Sequence, residues 1–259
     1  MPLITTSRGQ IFIADHRKAD SNMIPVIFIH GAGGTHLDWS ADLRRLPQAN
    51  AIALDLPAHG KSTPPHRTSI KDYADDVMAL VETLSLPRAI FAGHSMGGGI
   101  AQQLAVSYPD KVAGLILFGT GAKLAVHPDI LNQVMTNYVA VADLLAGWLW
   151  GADVTDDMKQ ITRQQLLKTP PEVTYGDYTA CNGFDIRAEL KNITAPTLVM
   201  SGTNDKMTPL KYGQYLADNI AHAKFAIIEN AGHMLGLEHP QTVATIVKEW
   251  LEGLAHATS

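Results

Sequence analysis

The sequence predicts an α/β fold with a mostly parallel sheet of about eight strands and helices on both of its faces. Two observations support this prediction. From Ile24 onward, short and nearly uninterrupted apolar runs alternate with longer amphipathic stretches, which is typical of buried parallel strands joined by helices. The alternation stops at Gly121, gives way to helical sequence up to about Cys181, and then resumes. One sheet domain with a helical insertion after its sixth strand explains both observations.

The individual elements follow from the spacing of apolar residues. Residues 3–15 predict an antiparallel hairpin that turns at Arg8-Gly9, since apolar and polar residues alternate on either side. The other predicted strands are 24–30, 50–56, 88–94, 112–119, 195–202 and 223–229. The predicted helices outside the insertion are 36–46, 70–84, 97–108, 212–220 and 240–254.

The amino-acid composition is ordinary for a globular protein. The chain has 259 residues, of which 46% are apolar and 17% charged, and a formal net charge of −5. It is therefore not intrinsically disordered, because disorder requires low hydrophobicity and high net charge. The mildly acidic balance provides no basic surface for nucleic acid or for an anionic membrane. Cys181 is the single cysteine, which excludes an internal disulfide and a zinc ribbon.

The sequence contains no targeting or membrane-spanning signal. Residues 1–22 have no long apolar run behind a basic start, so they do not predict a signal peptide. The most apolar later stretch, 139–150, contains Asp143 and falls well short of the ~20 residues that a membrane span needs. We expect a cytoplasmic protein, a monomer or homodimer, that binds neither nucleic acid nor membrane.

The most informative motif is Gly93-His94-Ser95-Met96-Gly97, which fits G-x-S-x-G. Such a pattern can arise by chance, but here it lies between a predicted strand and a predicted helix, where a nucleophile elbow must lie. The sharp turn exposes the serine hydroxyl at the carboxyl edge of the sheet, and the glycines prevent clashes between strand and helix. Ser95 is therefore the predicted nucleophile.

A serine nucleophile needs a base and an orienting acid. His233 lies in a short loop after the last predicted strand, next to a glycine, and is the best of the histidines; His59 is the remaining rival. Asp205 follows the penultimate strand and is the predicted acid, with Glu229 as the alternative. The chain order Ser95, Asp205, His233 is that of nucleophile, acid and base in a Ser-His-Asp hydrolase on an open α/β sheet.

A glycine-rich loop, His30-Gly31-Ala32-Gly33-Gly34, follows the first parallel strand and predicts an oxyanion hole. Attack on a carbonyl places negative charge on its oxygen, which two backbone N–H groups can stabilise. Met96, the residue after the nucleophile, supplies one of these groups. Ala32 is the predicted second donor, ahead of Gly33. The alternative is a glycine-rich turn without a catalytic role.

These motifs together resemble the α/β-hydrolase superfamily, and within it the small capped serine esterase and lipase-like branch. The resemblance spans nearly the whole chain: His30-Gly31, Asp55 followed by His59-Gly60-Lys61-Ser62, the elbow at 93–97, Asp205 and His233. Ala58 departs from the glycine common at that position, which affects loop geometry only. Serine at the nucleophile position argues against the haloalkane dehalogenase and epoxide hydrolase branches.

The resemblance implies the α/β-hydrolase fold, with a core domain of residues 1–122 and 182–259 and a helical cap of residues 123–181. The cap would cover the active site and contribute apolar residues to a substrate pocket, although most residues of an amphipathic stripe pack on the core. The predicted pocket residues are Gly33, Met135, Tyr138, Leu145, Trp148 and Met234.

The predicted function is a serine hydrolase that needs no cofactor and no metal and cleaves carboxylic esters through an acyl-enzyme. The predicted cap has no cluster of arginines, which favours uncharged, fairly apolar substrates of small to medium size. The same constellation serves carbon–carbon bond hydrolases, thioesterases, lactonases, hydroxynitrile lyases and cofactor-free haloperoxidases (perhydrolases), and fold and triad do not choose among them. A non-catalytic small-molecule receptor is a further alternative, disfavoured by the intact triad.

Overall fold

An eight-stranded sheet forms the centre of the computed structural model, which describes residues 2–18 and 21–258. The strands are β1 (Leu3–Thr6), β2 (Gly9–Asp15), β3 (Val26–Ile29), β4 (Ala51–Leu54), β5 (Ala89–His94), β6 (Val112–Phe118), β7 (Thr197–Gly202) and β8 (Ala223–Ile228). They lie in the order β1-β2-β4-β3-β5-β6-β7-β8. β1 and β2 pair antiparallel, β2 joins β4 antiparallel, and all other neighbours are parallel. The predicted fold class is confirmed.

Helices cover both faces of this sheet. They are α1 (Ala41–Arg44), α2 (Ile70–Thr83), α3 (Met96–Ser107), α4 (Pro128–Gln133), α5 (Tyr138–Trp148), α6 (Asp156–Leu166), α7 (Pro171–Asn182), α8 (Leu210–Asn219), α9 (Leu235–Glu238) and α10 (Pro240–Thr258). None of these helices is both long and apolar enough to cross a lipid bilayer.

Alternate residues of each buried strand face opposite hydrophobic cores, as the period of two requires. In β3, Ile27 and Ile29 face a core shared with α2, α3 and α8. Val26 and Phe28 face a second core, shared with α1 and α10. Burial on both faces explains why the parallel strands are continuous apolar runs in the sequence.

Four helices, α4 to α7, separate β6 from β7 and are called the helical insertion below. They contain a third hydrophobic cluster, centred on residues such as Val134, Val141 and Leu145. Ala32, in the glycine-rich loop of the core, packs against this cluster. The insertion therefore has its own core and touches the loop predicted to form the oxyanion hole.

The predicted helix at 36–46 was wrong in its continuity. The structure has one turn of 3-10 helix at His36–Asp38 and then the short α1, with Trp39 extended between them. Ser40 begins α1, because its hydroxyl accepts the Leu43 N–H. Trp39 is drawn into the core, where its ring lies 5.0 Å from Phe28. Tertiary packing and a second cap thus break a stretch with helical periodicity.

Candidate active site

Ser95 occupies the turn between β5 and α3 in a conformation that is rare for a residue with a side chain, with φ 54° and ψ −116°. Its backbone is held by four hydrogen bonds. Its N–H donates to Phe118 O at 2.9 Å. Its carbonyl accepts the N–H groups of Gly98 and Gly99, at 2.9 and 3.2 Å, and the Thr120 hydroxyl at 2.8 Å. The surrounding structure therefore fixes the strained turn, and the Ser95 side chain stays half-buried at its tip.

The two glycines of the motif are required by close backbone contact. A Cβ at Gly93 would collide with the backbone of Gly97, at the start of α3. A Cβ at Gly97 would collide with the carbonyl oxygen of Ile29, at the end of β3. The G-x-S-x-G spacing thus allows helix α3 to start directly against the two central strands.

Replacing Gly97 by alanine is expected to disrupt this turn. The atoms in the way are backbone carbonyls that cannot rotate aside, so α3 must shift away from β3. We expect the free energy of unfolding in urea to fall by about 3 kcal/mol or more.

Gly253 provides the matched control. It lies within α10, and a Cβ there meets no atom within 4 Å. The Gly253→Ala variant should gain about 0.5–1 kcal/mol of stability, because alanine loses less backbone entropy in a helix. A Gly97→Ala protein as stable as the original would contradict the close contact at the elbow.

Asp205 and His233 form a buried pair on the loops that follow β7 and β8. His233 Nδ1 lies 2.8 Å from Asp205 Oδ2, and the two side chains are almost fully buried. The pair fixes the imidazole tautomer, because the carboxylate accepts the proton on Nδ1 and leaves Nε2 free to act as a base. Glu229, the alternative acid, is exposed on the surface.

Three further donors hold the carboxylate of Asp205. Its Oδ1 accepts the N–H groups of Met207 and Thr208, both at 2.8 Å, and its Oδ2 accepts the Thr208 hydroxyl at 2.8 Å. Burial by itself would raise the pKa of Asp205, but the charge and hydrogen bond of His233 and the Thr208 donors outweigh it and lower the pKa. Asp205 therefore stays ionised, and Thr208 is a contributor that the sequence prediction missed.

His233 lies against the residue that precedes the nucleophile. The His94 and His233 rings are 4.6 Å apart, and His94 Nε2–H donates to the His233 carbonyl at 2.9 Å. Burial and the nearby His233 lower the pKa of His94 to about 3, so His94 is neutral and serves as a brace. Gly119 follows β6 at φ 47°, and a Cβ there would lie 3.3 Å from His233 Nδ1. His233 is thus packed against the ends of β5 and β6.

His30 braces the glycine-rich loop rather than titrating. Its Nε2 accepts the Leu56 N–H at 2.9 Å, so its proton is on Nδ1, which lies 2.8 Å from the Gly31 carbonyl. Burial lowers the pKa of His30 to about 4. A Cβ at Gly31 would lie 3.2 Å from Ser95 Cβ, so the loop passes directly beside the nucleophile.

Some backbone N–H groups near Ser95 already donate a hydrogen bond within the protein, and others do not. Gly33 N–H donates to Asp177 Oδ2 at 2.8 Å, which leaves it no proton for an oxyanion. The N–H groups of Ala32 and Met96 have no partner among residues 2–18 and 21–258. Met96 is the first residue of α3, where helix amides are free and the helix dipole favours negative charge. Two free amides therefore lie on the two segments next to Ser95.

The sequence from residue 26 to residue 246 matches the alpha/beta hydrolase family. This match spans most of the chain and both halves of the sheet. The chain belongs to the alpha/beta hydrolase family. Its fold and the G-x-S-x-G elbow agree with that membership.

Several characterised proteins are similar to this alpha/beta hydrolase. A pimeloyl-[acyl-carrier protein] methyl ester esterase from Neisseria meningitidis is 29% identical over 251 residues, covering 88% of this chain and 94% of its own. The 3-oxoadipate enol-lactonase 1 of Acinetobacter baylyi is 25% identical and covers 97% of both chains. A thermophilic esterase from Thermogutta terrifontis superposes with a TM-score of 0.86 at 26% identity, covering 98% of both chains.

The predicted pocket residues of this alpha/beta hydrolase lie in different surroundings. Met135 is 56% exposed, whereas Leu145 is buried in the core of the helical insertion. Tyr138 packs on that core, and its hydroxyl donates to the Leu166 carbonyl at 2.7 Å. Trp148 packs on it too, with its ring 5.6 Å from that of His127.

Met234 directly follows the predicted base and lines a small pocket beside His94. The other residues that line this pocket are Asp38, Trp39, His94, Phe118, Gly236 and Leu237. Met234 also joins the helical insertion, because its N–H donates to the Leu149 carbonyl at 3.1 Å.

A carboxylate links the helical insertion to the loop of His233 in this alpha/beta hydrolase. Glu238 accepts the N–H of Gly151, in the insertion, at 2.9 Å and the N–H of Gly232 at 3.0 Å. A Cβ at Gly232 would collide with the backbone at Gly151, so the two segments are in direct contact. The insertion therefore supports the segment that carries His233.

Proposed function

We propose that this alpha/beta hydrolase is a serine carboxylesterase that uses Ser95 as nucleophile, His233 as base and Asp205 as orienting acid. Ser95 Oγ bonds to the ester carbonyl carbon while His233 Nε2 takes the hydroxyl proton. The carbonyl electron pair moves onto oxygen, and the N–H groups of Ala32 and Met96 hold the resulting oxyanion.

The intermediate then collapses and an acyl-enzyme forms. The carbon–oxygen bond to the alcohol breaks, and the proton on His233 passes to the departing oxygen. In the second half, a water gives a proton to His233 as its oxygen attacks the acyl carbon. The bond to Ser95 Oγ breaks, Oγ regains the proton from His233, and the carboxylic acid leaves.

The observation that carries this proposal is the buried Asp205–His233 pair beside the strained serine turn. The Nδ1 to Oδ2 distance of 2.8 Å fixes the tautomer that a base needs. Burial of both partners excludes water from the pair, which strengthens its electrostatic effect. A structural aspartate–histidine pair would not need a half-buried serine with φ 54° at the end of β5.

The helical insertion is the proposed cap, and its charged side chains favour uncharged substrates. Residues 123–181 carry four basic and seven acidic side chains. Three of the basic ones pair with aspartates: Arg163 with Asp143, Lys159 with Asp156 at 3.1 Å, and Lys123 with Asp185 at 3.3 Å. An anionic substrate or an acidic carrier would find no free cluster of cations here. Small, apolar acyl esters fit this surface best.

Lactones are the second candidate class. The enol-lactonase of Acinetobacter baylyi matches 97% of both chains, and a lactone is a cyclic ester that passes through the same two half-reactions. In a lactone the leaving alcohol stays attached to the acyl-enzyme, so the pocket must hold it in place until water attacks. Measuring kcat/KM for a panel of short p-nitrophenyl esters and uncharged lactones therefore shows which of the two classes is the better substrate.

Covalent labelling with a fluorophosphonate tests the proposed nucleophile. We expect one equivalent of label on the peptide that contains Ser95 and none at the exposed Ser107, because only an activated serine reacts with the probe. The measurement is the mass of the intact protein followed by peptide mapping. A labelled residue other than Ser95, or turnover of esters by a protein that the probe does not modify, would overturn the proposal.

A further inference from the structure

A fully buried carboxylate on the helical insertion reaches into the core domain. Asp177, on α7, accepts hydrogen bonds from three different segments. Its Oδ2 accepts the Gly33 N–H and lies 2.8 Å from His59 Nε2, and its Oδ1 accepts the Tyr73 hydroxyl at 2.5 Å. A charge with no exposure to water needs such partners, and all three of them belong to the core domain.

His59 neutralises this carboxylate. Its Nδ1 lies 3.0 Å from the Pro57 carbonyl and its Nε2 faces Asp177, so both ring nitrogens meet acceptors and both carry protons. Burial alone would lower the pKa of His59, but the charge of Asp177 and the hydrogen bonds to Asp177 and Pro57 outweigh it and raise the pKa. Both ring nitrogens of His59 are thus occupied, one of them in the ion pair with Asp177.

Residues of the insertion form hydrogen bonds with both backbone groups of Gly33, its N–H and its carbonyl. Asp177 binds the N–H of Gly33, and the Thr169 hydroxyl donates to its carbonyl at 3.2 Å. Gly33 also has φ 66°, a left-handed conformation that a glycine adopts without strain. Since the peptide group between Ala32 and Gly33 is planar, fixing the Gly33 N–H fixes the Ala32 carbonyl and restricts the rotation of Ala32.

We propose that Asp177 is a positioning residue for the oxyanion hole: it holds the Gly33 amide from the helical insertion and so aims the Ala32 N–H at the oxygen of the substrate. This inference rests on the proposed function, in which Ala32 is an oxyanion donor. It makes the insertion a part of the catalytic apparatus and not only a wall of the substrate pocket.

The proposal predicts an effect on kcat rather than on KM. An oxyanion donor interacts most strongly with the charged oxygen of the transition state, so a misplaced donor leaves substrate binding nearly unchanged. In Asp177→Asn, an amide with a single acceptor oxygen replaces the carboxylate that accepts from three donors. His59 also loses the partner of its ion pair. We expect kcat for p-nitrophenyl butyrate to fall about 30–100-fold while KM stays within about twofold.

A phenylboronic acid inhibitor supplies a readout that a purely structural role would not move. Boron bonds to Ser95 Oγ while the hydroxyl proton passes to His233 Nε2, and it becomes a tetrahedral anion. The affinity of the inhibitor therefore depends on the oxyanion hole. We expect the inhibition constant of the Asp177→Asn variant to rise by the same factor by which kcat falls.

Two single-atom variants separate positioning from stability. Tyr73→Phe removes a hydrogen bond to the far oxygen of Asp177 and does not touch Gly33, so it should lower the melting temperature by several degrees with kcat unchanged. Thr169→Val removes only the contact to the Gly33 carbonyl. It should lower kcat about 3–10-fold and weaken boronate binding equally, with little change in melting temperature. Thr169→Val tests whether the insertion positions Gly33 even where Asp177→Asn does not fold.

Two results would overturn the inference. One is a folded Asp177→Asn protein, or a Thr169→Val protein where Asp177→Asn does not fold, with kcat and boronate affinity within twofold of the original protein. The other is a loss of kcat in Tyr73→Phe as large as that in Thr169→Val. Failure of the proposed function has a different signature, since a Ser95→Ala protein would then still hydrolyse the ester.

Discussion

Ser95→Ala is expected to lower kcat for p-nitrophenyl butyrate by about a million-fold, because no other group can form the acyl-enzyme. The fold should be unaffected, since the hydrogen bonds at this turn use the backbone of Ser95 and not its hydroxyl. The residual rate should still exceed that in water by about a thousandfold, owing to the oxyanion hole and substrate binding. Initial rates measure the loss of kcat and the residual rate. Intact-protein mass shows whether an acyl-enzyme forms, which we expect only in the original protein.

The exposed Ser107 at the end of α3 provides the control for this variant. Its hydroxyl accepts a hydrogen bond from Gln103 Nε2 at 2.8 Å on the surface, so Ser107→Ala should keep full activity. A Ser95→Ala protein that keeps more than about a tenth of the original kcat would show that another residue, or a directly activated water, attacks the ester.

Asp205→Asn is expected to lower kcat about ten-thousandfold by trapping the wrong tautomer of His233. The amide oxygen of the new side chain must take the place of Oδ1, which accepts the N–H groups of Met207 and Thr208. Its NH2 group then faces His233 Nδ1 and donates to it. The imidazole is left with its proton on Nε2, where it cannot accept the proton of Ser95. Rates at saturating ester, with circular dichroism as a check on folding, test this expectation.

Thr208→Val is the matched control for the acid. It removes a hydroxyl that donates to Asp205 Oδ2 and lies 3.2 Å from His233 Nδ1, yet it keeps the carboxylate and the backbone N–H donors. We expect a loss in kcat of less than about tenfold, because the tautomer of His233 is unchanged. Equal losses in the two variants would indicate that Asp205 acts by packing alone.

The sequence predicts those parts of the fold that require a pattern among neighbouring residues. The buried strands are continuous apolar runs, and the elbow has a glycine on each side because backbone atoms touch there. The stretch at 36–46 misled the prediction, since apolar periodicity says nothing about a second helix cap. Thr35 caps the first turn and Ser40 the second, and these two side chains were the signal that the helix is broken.

Long-range polar contacts could not be predicted from the sequence. Asp177 is separated from Tyr73 by 104 residues and from Gly33 by 144, and no spacing rule joins such positions. One local sign was present. Gly176 lies inside α7, where glycine is unfavourable, and a Cβ there would come within 2.6 Å of the Arg67 carbonyl. A glycine next to an aspartate within a helix thus marked the place where the insertion meets the core.

The carboxylate of Glu238 restricts how this enzyme can be re-engineered. Because it binds backbone N–H groups at Gly151 and Gly232 together, exchanging the four helices for those of a relative would remove a support of the proposed general base. A chimera would keep its catalytic rate only if the graft presented an equivalent N–H to Glu238. Changes of substrate preference are therefore better sought by point substitutions along α5 and α6 than by domain grafting.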